Sequence, residues 1–429
     1  PSPANIEARV KRSELQNGLR IALLSKKTRG GTVVATLTVR FGDEKSLFDK
    51  STVADLTADM LMRGTTKHTR QQLKDELDRL KGRMTVTGRA TQANVTIETI
   101  RENLPAVLAL AAEVLREPAF PAAEFEKLQR ARLAEVDDQR TDPDSVAERS
   151  LERWDNPYAR GDVRYVPTFD EDLAAIKAAT LESVKAFYAR FVGGANAELA
   201  IVGDFDPDAM RALTAELFGA WKSPAPYERV PNPYRPPAPT LLSAQTPDKA
   251  NATLIGRLPL RINDRSDDLP ALMIVDKILG ASPDSRMWDR VREREGLSYS
   301  IQTWLALSSF EENTPMFLYA IFAPENRARV RAAIAEELAR ASKDGVTEAE
   351  VTTAKVSLLQ ARKISRAQDG ALAGGLVLQS RLGRTWEYAA KIDAELAALT
   401  TERVNAVLRK YLDAAGFAWS YAGDFATAK

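Results

Sequence analysis

The chain has 429 residues, with 60 Lys and Arg against 59 Asp and Glu, a single histidine and no cysteine. That balance leaves no basic excess to draw the protein onto nucleic acid or an anionic membrane, and the absent thiols exclude disulfides and cysteine catalysis. With His68 as the only imidazole, an ordinary tetrahedral zinc site cannot be assembled from this chain alone.

The longest nearly uncharged apolar stretch, 104–112, is shorter than a bilayer span and contains Pro105, so no membrane insertion is expected. The sequence opens on Pro1 without a basic-then-apolar leader, as it would after removal of a signal peptide or after trimming.

In chain order, the first 40 residues read as strands: SELQNGLRIALLSK with a turn at Asn17-Gly18, then the alternating GGTVVATLTVRFG. Ser51 is placed to cap a helix running to Arg63 and ended by Gly64. His68 falls in the polar segment GTTKHTRQQLKDEL and reads as an exposed residue at a loop or helix start; the helix follows over 69–81. RMTVTGRATQANVTIETI alternates like a hairpin, further helices run to about 150, and NPYARGDVRYVPTFDEDL reads as a loop.

Residues 222–248 are proline-rich, without regular periodicity, and read as an extended linker. Beyond it come the strand NATLIGRLPLRI, the helices DLPALMIVDKILGA and SRMWDRVREREG, and the strands LSYSIQTWLAL and TPMFLYAIFA. Helices then fill the chain until a last strand at about 417–422. QDGALAGGLVLQ, 368–379, lacks the lysine and the strand-to-helix setting of a phosphate loop and reads as a tight helical turn or a mobile loop.

This order repeats itself. LESVKAFYARFVGGANAELAIVGDF, 181–205, aligns without a gap on TERVNAVLRKYLDAAGFAWSYAGDF, 401–425, with seven of 25 positions identical and both closing on Gly-Asp-Phe. Val184, Phe187, Tyr188 and Phe191 match Val404, Val407, Leu408 and Tyr411, the i, i+3, i+4, i+7 spacing of a core-facing helix. ENLPAVLALAAEVL likewise parallels ENRARVRAAIAEEL, and FPAAEFEKLQ parallels VTEAEVTTAK. A period near 220 is far too long for a solenoid, so two homologous domains are expected: 1–221 and 249–429, joined by the linker 222–248. Strands and helices mix without regular βαβ alternation, which predicts α+β domains with largely antiparallel sheets.

Two stretches resemble the pitrilysin/insulinase family of zinc peptidases, whose first-domain helix carries His-x-x-Glu-His. STVADLTADMLMRGT, 51–65, has the frame of that helix, but its motif positions are Asp55, Leu56, Thr57, Ala58 and Asp59. Both histidines are aspartate and the general-base glutamate is alanine. ARLAEVDDQRTDPDS places Glu135 at the third ligand, so one ligand position of three survives.

The second stretch, SRMWDRVREREGLSYSIQT, 285–303, matches the second-domain signature, with Arg292 and Tyr299 on the arginine and tyrosine that hold substrate near the zinc. A guanidinium from a helix end and a phenol from the next strand, separated by Gly296, can converge on one carbonyl oxygen and stabilise its developing charge. Taken singly, an arginine at a helix C-terminus and a tyrosine on a strand face have ordinary structural uses.

The resemblance implies a half-length chain akin to subunits of mitochondrial processing peptidases and bacterial heterodimers. There, one subunit brings zinc and the other the arginine and tyrosine. This chain would be the second kind: inactive alone, without cofactor, paired with a homologous zinc-bearing subunit on a peptide substrate, and periplasmic because bacterial members are often exported. QDGALAGGLVLQ loosely resembles the glycine-rich loop of non-catalytic processing-peptidase subunits.

Two alternatives stay open at this stage. One is a scaffold or assembly protein that kept the fold and lost the chemistry. The other is an enzyme whose metal is held by Asp55, Asp59 and Glu135, oxygen ligands better suited to magnesium, calcium or manganese than to zinc.

Overall fold

The structure, a computed structural model, describes residues 1–426. Its strands form two sheets. The first contains β1 (Lys11–Glu14), β2 (Arg20–Ser25), β3 (Thr32–Arg40), β4 (Arg83–Arg89), β5 (Gln92–Ile100) and β6 (Ala197–Gly203), in the order β1-β2-β6-β3-β5-β4. The second contains β7 (Thr240–Gln245), β8 (Ala252–Leu260), β9 (Ser298–Leu305), β10 (Thr314–Phe322) and β11 (Ala418–Gly423), in the order β7-β11-β8-β10-β9.

With β1 set aside the two orders are the same. In each sheet the only parallel pair joins the first strand to the last, β2 to β6 and β7 to β11. The protein is therefore α+β and built from two homologous domains. The repeated 25-residue segments become the Leu181–Phe191 and Thr401–Tyr411 helices followed by β6 and β11.

One face of each sheet carries a helix-covered core. Val33, Ala35, Leu37 and Val39 of β3 point into the first core with Val184, Phe187 and Phe191. Met316, Leu318, Ala320 and Phe322 of β10 point into the second with Val404, Val407 and Leu408. Strand alternation and helical spacing meet here as the sequence periodicity requires.

The opposite faces are covered by exchange. The helix Asp369–Leu382 lays Leu372, Ala373, Leu376 and Val377 on Ala22, Leu24, Ala200 and Val202 of the first sheet. Lys26 pairs with Asp369 at its start, and Arg20 donates to the Ser380 carbonyl near its end at 2.6 Å. Asp369 complements the positive end of the helix dipole, and Arg20 satisfies a carbonyl of the last turn at the negative end. Reciprocally, Pro143–Arg153 of the first half lays Ala147 and Leu151 on Ile255, Ala418 and Ala422 of the second sheet.

The segment 368–379, read from sequence as a tight helical turn or a mobile loop, is thus helical but runs on as a 14-residue helix, and the mobile-loop reading is corrected. Its glycines lower intrinsic helix propensity, but burial against a sheet of the other half supplies the helix with its stability.

Three smaller expectations also change. Ser51 is the first helical residue rather than the cap; Lys50 precedes the Ser51–Leu61 helix without a side-chain cap. The end of the 156–173 loop is helical, because Thr168 and Glu171 form a capping box that starts Phe169–Ala178. The last part of the proline-rich stretch is not free linker: 240–245 is edge strand β7, with one side of its alternation exposed. Among the described residues no helix is long and apolar enough to cross a membrane.

Candidate functional site

The helix Ser51–Leu61 buries Ala54, Leu56, Thr57, Ala58, Met60 and Leu61, and it packs closely against β4. At Gly88 of β4 an added Cβ would lie 2.1 Å from the Ala58 side chain, so the strand is glycine where the helix comes nearest. Ala58 occupies the general-base position of the resembled motif. A glutamate there would have to enter a closed contact and bury its charge, at a cost of several kcal/mol.

Asp55 and Asp59 share a helical face, as their spacing predicts, and Glu135 approaches from the helix Ala122–Gln139. What fills the space between them is Arg132. Its Nε and Nη2 donate to Asp59 Oδ2 at 2.9 and 2.7 Å, and its Nη1 donates to Glu135 Oε2 at 2.6 Å. The guanidinium brings a fixed positive charge to the oxygens a metal would need. This donor set does not fit zinc, and it removes the footing for a metal held by Asp55, Asp59 and Glu135. The sequence reading missed Arg132 because one arginine in an amphipathic helix carries no signal of its distant partner.

Asp55 is half-buried, and its Oδ1, shut off from solvent, accepts no hydrogen bond among the described residues. Burial, reinforced by the nearby Asp59 carboxylate, pushes its carboxyl up to about 7. Beside the Asp59–Arg132 pair, it is a proton-holding group.

His68 lies directly before the Arg70–Arg79 helix, which Thr69 starts through a capping box with Gln72. Its Nδ1 is 2.8 Å from Glu113 Oε1, so the histidine is tied to the Leu104–Arg116 helix.

Arg292 and Tyr299 occupy a different environment. Residues Trp288–Arg294 form a widened, π-helical turn in which Glu295 N–H donates to the Arg290 carbonyl at 3.1 Å. Gly296, at φ +60°, lets the chain reverse, and Leu297 N–H closes the end on the Val291 carbonyl at 2.9 Å. π-turns and β-bulges recur where a side chain must be re-aimed.

The following strand has such a bulge. Ile321 pairs with Ser300 while Phe322 pairs with Ser298, which leaves Tyr299 as the extra residue. Its ring is 62% exposed, unusual for a large aromatic side chain. The Arg292 guanidinium lies 4.2 Å over the Trp288 ring, and Trp288 is itself held by its Nε1–H to Glu293 Oε1 at 3.0 Å. The nearest carboxylate oxygen to Arg292 is 3.9 Å away on Glu293, outside hydrogen-bond reach. Neither Arg292 nor Tyr299 spends a side-chain hydrogen bond within the described residues. β9, the strand that carries Tyr299, is the last in its sheet and pairs on one side only.

Comparison with known proteins agrees with the two-domain plan. Residues 21–155 match the family model Insulinase (Peptidase family M16), and residues 178–358 match the Peptidase M16 inactive domain. The chain belongs to the M16, or insulinase, family of metallopeptidases.

An uncharacterized zinc protease of Mycobacterium tuberculosis is 26% identical over 379 residues, spanning 82% of this chain and 80% of that protein. The Bacillus subtilis zinc protease YmxG is 20% identical over 403 residues, 94% of this chain and 95% of its own. Among solved structures, a peptidase M16 inactive domain from Pseudomonas fluorescens superposes with a TM-score of 0.84 at 21% identity, covering 96% of this chain and 97% of that one. The periplasmic protease PqqL from Escherichia coli gives 0.76 at 15% identity, with 96% of this chain matching 45% of PqqL.

Proposed function

We propose that this chain is the non-zinc subunit of a heterodimeric zinc metallopeptidase, which places Arg292 and Tyr299 in the active site of a homologous zinc-bearing partner. The supporting observation is the contrast between the two sites. At the positions that match the metal motif, Asp59 and Glu135 are answered from within the chain by Arg132, whereas Arg292 and Tyr299 present unspent donors at the end of a helix and on a bulge.

In this reading Arg292 and Tyr299 donate to the scissile carbonyl oxygen of a peptide. Those hydrogen bonds strengthen as negative charge develops on that oxygen, which lowers the barrier rather than merely tightening binding. The free edge of β9 offers backbone groups to an extended substrate, a mode that reads backbone more than side chain. When present, zinc in the partner supplies the Lewis acid and the activated water. The chain alone is inactive, and the complex works in the periplasm, the compartment of the Escherichia coli protease PqqL.

The test is reconstitution. The chain and an M16 homologue with an intact His-x-x-Glu-His are purified separately and mixed with an unstructured reporter peptide. Cleavage is expected only in the mixture and is lost on chelation. A partner that cleaves equally well without this chain would contradict the proposal and favour a scaffold.

A further inference from the structure

The second sheet turns one face to its own helices and the other toward the first half, and on that other face lies a cavity of about 680 Å³. Neither Arg292 nor Tyr299 lines it. Both halves contribute walls: Arg89 at the end of β4, Glu148 and Glu152 on the Pro143–Arg153 helix, Arg257 on β8, and Trp304 and Phe317 on β9 and β10. Trp304 and Phe317 stack at 5.2 Å between centroids with 17° between planes, which makes a flat apolar floor.

Above that floor two guanidinium groups are incompletely satisfied. Arg257 Nε is shut off from solvent without an acceptor, and so is Arg235 Nη1, which stops 3.7 Å from Asp155. Burial, with Arg235 alongside, holds Arg257 below the usual arginine range. Both arginines line the cavity, and Arg257 makes no side-chain hydrogen bond or ion pair among the described residues, so its remaining guanidinium nitrogens are left for water or a bound group.

The remaining acidic groups restrict what that group can be. Glu311 is already taken by Arg229. Glu148 and Glu152 make no ion pair among the described residues, and burial pushes Glu152 up, so it holds its proton more readily. A dianion would still meet the carboxylates of that wall. A single carboxylate, held to the arginine side and attached to a flat apolar group, meets donors at one end and the Trp304 face at the other.

We propose that this cavity binds a monocarboxylate carried on an aromatic or apolar body, the chemistry offered by the C-terminus of a peptide or by an acidic side chain beside an apolar residue. Arg257 and Arg235 receive the carboxylate, and Trp304 with Phe317 receives the body. A charge-assisted, two-donor contact of this type also discriminates strongly against a neutral amide.

The experiment uses the full chain without any partner, so its failure would leave the heterodimer proposal untouched. N-acetyl-phenylalanine, its amide, and N-acetyl-aspartyl-phenylalanine amide are titrated by calorimetry into the native chain and into Arg257→Met, which keeps most of the aliphatic stem. At least one carboxylate ligand is expected to bind about tenfold more tightly than the neutral amide, and Arg257→Met should erase that margin while leaving amide binding unchanged.

Preference for the first acid assigns the carboxylate to a peptide terminus; preference for the aspartyl compound assigns it to a side chain. Equal affinity for acid and amide, no binding by either acid, or a preference that survives in Arg257→Met overturns the proposal. The native-chain comparison decides the matter even if the variant folds poorly.

Discussion

The Ser51–Leu61 helix and the turn carrying Arg292 both present charged residues at positions that the resemblance singles out, yet they treat charge in opposite ways. On the first, Arg132 closes on Asp59 and Glu135, Ala58 seals against Gly88, and Asp55 keeps its Oδ1 shut off from solvent without a partner. On the second, Arg292 rests on an indole and Tyr299 stands in solvent, with their donors unspent. The lesson is that carboxylates gathered on one helical face need not await a metal. An internal cation can inherit the carboxylates while a distant pair of donors remains available.

The largest effect expected on the first region concerns Asp55. An unfolded aspartate loses its proton near 4, whereas folded Asp55 keeps it to about 7. The folded state therefore holds the extra proton between those values, so stability falls as pH rises through that window and levels off above it. Asp55→Asn should remove this slope and gain up to about 4 kcal/mol relative to the parent between pH 4 and pH 8, measured by denaturant titration at each pH. An unchanged difference across that range would mean that Asp55 ionises normally.

Gly88→Val comes next. Its Cβ would fall on Ala58, and overpacking of this kind costs about 1–3 kcal/mol, read as a lower Tm. A neutral result would show that the helix can lift from β4 and that the position is not sealed. Tyr299→Phe is the smallest. It removes one donor from an exposed ring, so the reconstituted pair should lose about tenfold in kcat with no change in Tm. A rise in KM alone would make Tyr299 a binding contact without a transition-state role.

Much of the fold was legible in the sequence because the duplication preserved helix periodicity and the Gly-Asp ends of β6 and β11. The turn and bulge that set off Arg292 and Tyr299 have their sequence sign in Gly296, which lies between them. The features that escaped depend on contacts distant in sequence. Arg132 reaches Asp59 across 73 residues. The 369–382 helix looks glycine-rich and weak until a sheet from the other half is placed beneath it. By contrast, the Thr168–Glu171 capping box stands in the sequence as Thr-x-x-Glu, masked by a stretch rich in loop-forming residues.

The most direct test sets Arg292→Ala beside Arg132→Ala in the reconstituted heterodimer, recording kcat/KM, Tm and bound zinc for each. The account predicts that Arg292→Ala lowers the rate by about 10²-fold or more with Tm and zinc unchanged, while Arg132→Ala lowers Tm and leaves the zinc and most of the rate in place. An Arg292→Ala pair that cleaves at the parent rate would contradict it.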